Sequence, residues 1–357
     1  MAKPVVIHLI NQLELGGTEL SLVTLLPHMQ NNFDNQVCCL GQVGPLHKDL
    51  EDAGIIVHTL GSSNRFDLRL IRRVQLLLLT TKAKAIVTYL PQADMIGRLA
   101  ARRTGTPVVS AQRSSYHRRP YLRLPDRLTR PLVTEYVVQT GVAKQRFPSG
   151  ETTVIPNAVG LDVAQERDEA RALLRLGPED IAITCVSNLR AGKGHNTLLQ
   201  ALALLPTHVS WNCFLIGEGP EQARIEQQII KLGLSQRVRL LGRRRDVPHI
   251  LAGSDVFVFP SLAEGMSNAL LESLAAGLPV VASDIPANKA VISHDQNGLL
   301  ATAGDPADFA KQLVRVLTSA DTRATLAHAA EAHVREHHAP AVIASKWEAV
   351  LERVTTP

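Results

Sequence analysis

The chain has no Asp-x-Asp pair anywhere in its 357 residues. It therefore lacks the adjacent carboxylates that commonly hold a divalent ion against a diphosphate. It has only four cysteines, Cys38, Cys39, Cys185 and Cys213, set in apolar runs without metal-ligand spacing. That argues against a disulfide framework and predicts buried free thiols in a reducing compartment. Aromatics are sparse, at 4%. No uninterrupted apolar run is long enough to span a bilayer, the run Leu76, Leu77, Leu78 and Leu79 being too short. No long apolar stretch precedes the strand-like Val5 to Ile10, so no secretory leader is expected. The first strand is not followed by three spaced glycines, which argues against a dinucleotide-binding dehydrogenase. The net charge of +5 is mildly basic. It suits anionic ligands or an anionic membrane surface and does not by itself suggest nucleic acid. A cytoplasmic protein is expected, placed at the inner face of the membrane if the basic surface is used there.

What is present is alternation. Short apolar runs alternate with amphipathic stretches, the pattern of βα units around a parallel sheet. Strands are expected at 5–10, 36–40, 55–60, 85–89, 107–110, 135–138 and 153–155. A second series follows at 181–186, 211–216, 238–241, 256–259, 280–282 and 298–300. Helices are expected at 18–29, 68–80, 93–103, 163–176, 196–205, 222–232, 247–252 and 306–317, with a helical tail from 321 to 354 broken near Pro340. The length is too great for one ordinary core. The expected fold is α/β, two doubly wound Rossmann-like domains facing across a cleft. The first covers 1–160 and is joined by a terminal helix at about 341–357; the second covers 161–340. Ligands of such sheets bind at the carboxyl ends of the strands.

The most informative stretch is EGMSNALLESLAAGLPVVASD, residues 264–284. It reads as a glycine turn, a helix capped by Ser267 or Asn268 and stopped by Gly277, and a buried strand. A helix N-terminus above a sheet edge is an anion site. Glu264 and Glu272 flank it, ~12 Å apart along the axis if everything between them is helical. Upstream, SNLRAGKGH at 187–195 puts Arg190 and Lys193 at the start of another helix. Two cations there oppose the helix dipole and make sense with an anion between them.

These segments resemble those of the retaining glycosyltransferases of family four, whose donor signature has two glutamates separated by seven residues. The resemblance covers nearly the whole chain and is strongest from Val186 to Leu300. It implies the GT-B fold. It further implies that Arg190 and Lys193 neutralise a diphosphate leaving group and that Glu272 accepts from ribose hydroxyls. By the same resemblance Glu264 meets the donor sugar near the reacting face, while Gly265, Met266, Ser267 and Asn268 offer backbone amides. The loop 242–247, with Arg244, would border the nucleotide base, mostly through backbone groups. Gly16 and Gly17, in a GGTE segment similar to the family's N-terminal pattern, would let the backbone approach the donor phosphate. Where many members carry a histidine near the donor sugar, this chain has Arg113, with His117 four residues later, and both are candidates. The basic run Arg113, Arg118, Arg119, Arg123, Arg127 and Arg130, opposed only by Asp126, would suit a phosphate-bearing lipid acceptor or anionic head groups.

The expected activity is retaining transfer of a sugar from a nucleotide-sugar donor to a hydroxyl. The acceptor would be a saccharide or lipid-linked saccharide, such as a glycolipid, lipopolysaccharide or other cell-surface polysaccharide precursor. No cofactor and no metal ion is expected, because Arg190, Lys193 and a helix dipole would do the metal's work. A nucleotide-sugar epimerase of the same fold and a non-catalytic nucleotide-sugar-binding protein are the rivals.

Overall fold

The computed structural model describes residues 2–64, 67–113, 120–145, 147, 151–161 and 166–356, with the backbone alone at 120–123. The chain divides into two compact units, Met1–Ala158 with Ala339–Pro357, and Val159–His338.

In unit 1 seven parallel strands lie in the order β3-β2-β1-β4-β5-β6-β7: β1 Val5–Ile10, β2 Asp34–Cys39, β3 Val57–Thr59, β4 Ala85–Tyr89, β5 Val108–Gln112, β6 Glu135–Val138 and β7 Glu151–Val154. The inner strands are short, rich in β-branched residues and buried on both faces, as a sheet covered by helices on both sides requires. The crossovers run through α1 Gly17–Leu25, α2 His47–Asp52, α3 Arg69–Thr81, α4 Pro91–Thr104, α5 Pro120–Thr129 and α6 Gly141–Lys144. Part of the proline-bearing basic run, for which no helix was expected from sequence, forms α5 with Pro125 inside it. Strand order reverses between β1 and β4, which makes their carboxyl ends the topological switch point.

Unit 2 repeats the scheme with six parallel strands in the order β10-β9-β8-β11-β12-β13: β8 Ile181–Val186, β9 Trp211–Ile216, β10 Val238–Gly242, β11 Val256–Phe259, β12 Val280–Ser283 and β13 Leu299–Ala301. Its helices are α7 Arg167–Leu173, α8 His195–Ala203, α9 Gln222–Lys231, α10 Val247–Ala252, α11 Asn268–Ala275, α12 Pro286–Lys289, α13 Pro306–Thr318 and α14 Ala320–His337. Helix α7 is shorter than the 163–176 expected, and 162–165 lie outside the described residues. Arg167 and Arg171 tie α7 to Asp255, just before β11. The switch point here falls between β8 and β11.

Pro340 starts the last helix, α15 Pro340–Thr355, where a missing backbone donor costs nothing. Its stripe of Ile343, Trp347, Val350 and Leu351 is fully buried in the core of unit 1 with Leu22, Leu25, Met29 and Tyr89. The four cysteines are buried and free. Among the described residues no helix is long and apolar enough to cross a membrane.

Candidate active site

The switch point of unit 2 is framed by the loops that leave β8 and β11. Because α8 and α11 then depart to opposite sides of the sheet order, the two loops diverge and leave a crevice at the strand ends. Lys193 stands on the first loop and Glu264 on the second, and their side chains meet across it with Nζ 2.5 Å from Oε1. The buried Ser261 hydroxyl donates to the same Glu264 oxygen at 2.6 Å. The backbone stitches the loops together, with Leu262 N–H donating to the Gly192 carbonyl at 2.8 Å. Gly194, the N-cap of α8, makes this approach possible. Its φ is +73°, and a Cβ there would lie 1.9 Å from the Pro260 carbonyl oxygen, so no other residue fits without displacing the backbone.

Arg190 lies on the same β8 loop, exposed, with no ion pair or side-chain hydrogen bond among the described residues. Its charge is available to a ligand. Ser267 caps α11, its Oγ accepting from Leu270 N–H at 3.3 Å. Gly265, Met266, Ser267 and Asn268 are all half-buried in the approach to that N-terminus. The helix begins only at Asn268, so the interval from Glu264 to Glu272 is half loop and the ~12 Å all-helix spacing does not apply. Glu272 sits half-buried on α11 without an ion-pair partner among the described residues, and burial raises its carboxyl above the usual 4.5. An unpaired carboxylate that is short of water is a good acceptor for ligand hydroxyls.

Two residues of this site were not singled out from sequence. Ser261 takes part only through its contact with Glu264. His195 opens α8, its Nε2 3.0 Å from Ser187 Oγ, and burial, aided by the Lys193 charge, lowers its pKa to about 4. Neutral His195 thus braces the two ends of the loop that carries Arg190 and Lys193. Its place directly after Gly194 was the only sequence signal. Arg244 follows β10 and donates from Nε and Nη2 to the two carboxylate oxygens of Asp246, at 2.8 and 2.6 Å.

In unit 1, Gly16 caps α1 without a side-chain bond, and Gly17 is exposed. The space beside Gly16 is filled by Glu19, whose Oε2 lies 2.4 Å from where a Cβ would be. Burial raises the Glu19 carboxyl. Arg113 follows β5 directly and points its guanidinium at Asn157, as described below. His117 lies outside the described residues, as do Arg118 and Arg119. Of the remaining basic run, Arg130 is paired with Asp126 at 2.8 Å, and Asp126 also binds the buried Arg98. Among the described residues no cluster of three or more His, Cys, Asp or Glu side chains could hold a metal.

Two doubly wound parallel sheets, one bearing a paired lysine and glutamate at its switch point, define a GT-B architecture. Residues 166–333 match the family described as glycosyl transferases group 1, and residues 15–163 match Glycosyltransferase Family 4. The chain belongs to glycosyltransferase family 4. It is 28% identical over 321 residues to the Escherichia coli UDP-Gal:alpha-D-GlcNAc-diphosphoundecaprenol alpha-1,3-galactosyltransferase, covering 82% of this chain and 81% of that protein. It is 30% identical over 165 residues to the Bacillus anthracis N-acetyl-alpha-D-glucosaminyl L-malate synthase, 46% of this chain and 43% of that one. The match thus spans less than half the length of the second protein. The fold is similar to that of Anabaena HepE in complex with UDP and glucose, with a TM-score of 0.87 and 22% identity over 98% of this chain and 100% of that one.

Proposed function

We propose that this chain transfers a sugar, with retention of configuration and without a metal ion, from a nucleotide-sugar donor to a hydroxyl of a cell-surface polysaccharide or lipid-linked saccharide precursor. The observation that carries the reading is the meeting of Lys193 and Glu264 across the switch point of unit 2, with Arg190 beside them and uncommitted. The anomeric carbon–oxygen bond to the diphosphate breaks and a bond from the acceptor oxygen forms. The acceptor proton passes to the departing phosphate oxygen. Arg190 and Lys193 stabilise the charge that grows on that diphosphate, and the α11 N-terminus adds its dipole. Glu264 holds Lys193 in position before the donor arrives and faces the sugar afterwards, while Glu272 receives the ribose hydroxyls. The names of the relatives support a donor of this kind: the Escherichia coli enzyme uses UDP-Gal, and Anabaena HepE has been seen with UDP-glucose. The Escherichia coli relative's diphosphoundecaprenol acceptor supports a lipid-linked acceptor, which would bring the chain to the inner face of the membrane.

The test is release of nucleoside diphosphate from a panel of UDP- and GDP-sugars, with and without thorough chelation. Turnover that survives the chelator is expected. Glu264→Ala should mainly lower kcat, and Glu272→Ala should mainly raise KM, because a ribose contact serves ground and transition states alike. No release from any donor, or turnover abolished by chelator and restored by manganese, would overturn the reading.

A further inference from the structure

Unit 1 holds one fully buried arginine, Arg98, and one half-buried arginine at the strand ends, Arg113, and they are treated oppositely. Arg98 is fully buried and answered by carboxylates, with Asp126 at 2.8 Å and Asp94 at 3.6 Å, and by the Ser110 hydroxyl at 2.9 Å. Burial acts to lower its pKa, and Asp94 and Asp126 more than offset that, so the net shift is upward. Arg113 has no carboxylate partner among the described residues. The adjacent segment 114–119 contains no acidic residue either. Its guanidinium lies over the rings of Tyr89 and Trp347, 5.7 Å from each centroid. Its Nη1 donates to Asn157 Oδ1 and, at 3.5 Å, to Ser21 Oγ. Burial lowers its pKa, and only Tyr89 opposes the shift.

The neutrality extends outward. Tyr89 is 3.0 Å from His8 Nδ1, and His8 Nε2 is 2.9 Å from Asn35 Oδ1. Burial lowers the His8 pKa to about 4, so this ring is uncharged at neutral pH. Asn157 also accepts from Gln139 at 2.6 Å. Asp94, which Gln112 beside Arg113 contacts, is engaged by Arg98, Thr88, Ser110 and Gln112. A half-buried cation whose described neighbours are amides, hydroxyls and rings gains from an anion joining it.

Its location matches. Tyr89, Arg113, Gln139 and Asn157 stand at the carboxyl ends of β4, β5, β6 and β7 or just beyond them, the edge where open α/β sheets bind ligands. Leu90, next to Tyr89, has φ of +72°, a backbone that leucine adopts only under constraint, and such strain gathers at ligand sites. We propose that Arg113 binds an oxyanion, a carboxylate or phosphate carried by the sugar acceptor, at the carboxyl edge of unit 1. The assignment to the acceptor rests on the transferase reading above, in which the donor diphosphate is held by unit 2. The acceptor is therefore an acidic saccharide or a saccharide phosphate.

The experiment uses the full chain carrying Arg190→Ala and Lys193→Ala, which removes the unit 2 cations from the measurement. Inorganic phosphate, glucuronate and uncharged glucose are each titrated by calorimetry. At least one of the two anions is expected to bind saturably, and glucose not at all. Adding Asn157→Asp places a carboxylate on Arg113, so anion affinity should fall about tenfold or more while the melting temperature holds or rises. Arg113→Gln should lose the anion to the same extent; if that variant does not fold, Asn157→Asp decides alone. The anion that binds more tightly names the acceptor group. Absence of saturable binding for both anions, or affinity unchanged by Asn157→Asp, overturns the proposal. UDP binding by the unsubstituted chain, titrated separately, reports on the donor reading, so the two can fail independently.

Discussion

The carboxyl edges of the two sheets are finished in different ways. In unit 2 the edge is made by backbone: Gly192 and Gly194 bring two loops together, and the lysine and glutamate they carry satisfy each other. In unit 1 the edge is made by side chains: Arg113 from one strand end meets Tyr89 and Asn157 from two others, Gln139 braces Asn157 from a fourth, and the cation has no counter-ion among the described residues. The first arrangement is satisfied at rest, and in the proposed reaction its ion pair would open to receive the diphosphate. The second pays its electrostatic cost at rest and recovers it when an anion binds. The contrast shows how one strand order can present either a preformed ion pair or a waiting charge.

The sharpest way to separate the two regions uses their tryptophans, one buried in each: Trp347 in unit 1 and Trp211 in unit 2. Trp347→Ala should cost unit 1 about 3–5 kcal/mol, the usual loss for emptying so large a buried site. Trp211 fluorescence then follows unit 2 alone through a denaturant titration. Its transition should stay where it was, and a matching shift of both regions would break the comparison. A smaller effect is expected at the donor edge. Arg190→Ala and Lys193→Ala should each weaken nucleoside diphosphate binding by roughly 1.5–3 kcal/mol, about ten- to a hundredfold. Of the two, Lys193→Ala also leaves Glu264 without its ion pair, so it alone should lower the thermal stability of unit 2. Equal stability in both variants would mean that the Lys193–Glu264 contact contributes nothing at rest.

The smallest effect concerns Glu272. Its folded pKa is raised by burial, so its contribution to stability is complete below the usual 4.5 and is lost as pH rises through the folded value. Glu272→Gln should therefore melt slightly higher than the parent at about pH 8 and at the same temperature near pH 4. The gain should come with weaker nucleoside diphosphate binding. A melting difference that persists at low pH would show that the carboxyl is not penalised by burial.

The same contrast explains what could be read from sequence. The inner strands were legible because each is a short apolar run, and burial on both faces demands that composition; the edge strands β3 and β7 are more polar and more exposed. The pairing at the unit 2 edge could be suspected from sequence because its residues are contiguous in two loops, 187–195 and 260–268, where glycine spacing and charge stand close together. The unit 1 edge could not. Of its residues only Arg113 was singled out from sequence, because Tyr89, Gln139 and Asn157 stand far from it along the chain. Helix α5 was not among the helices expected from sequence; Pro120 occupies its first position, where proline is favoured, and Pro125 lies inside it. Arg244 looked available by composition, and only the structure shows Asp246 holding it.

Helix α15 completes the core of unit 1, yet it is translated after the whole of unit 2. While a ribosome makes the intervening unit, roughly 10–40 s at about 5–20 residues per second, the nascent sheet of unit 1 must wait with Leu22, Leu25 and Met29 lacking their partner. Unit 2, contiguous in the chain, faces no such delay. The later half is thus free to finish first, and the earlier half carries the greater dependence on chaperones during synthesis.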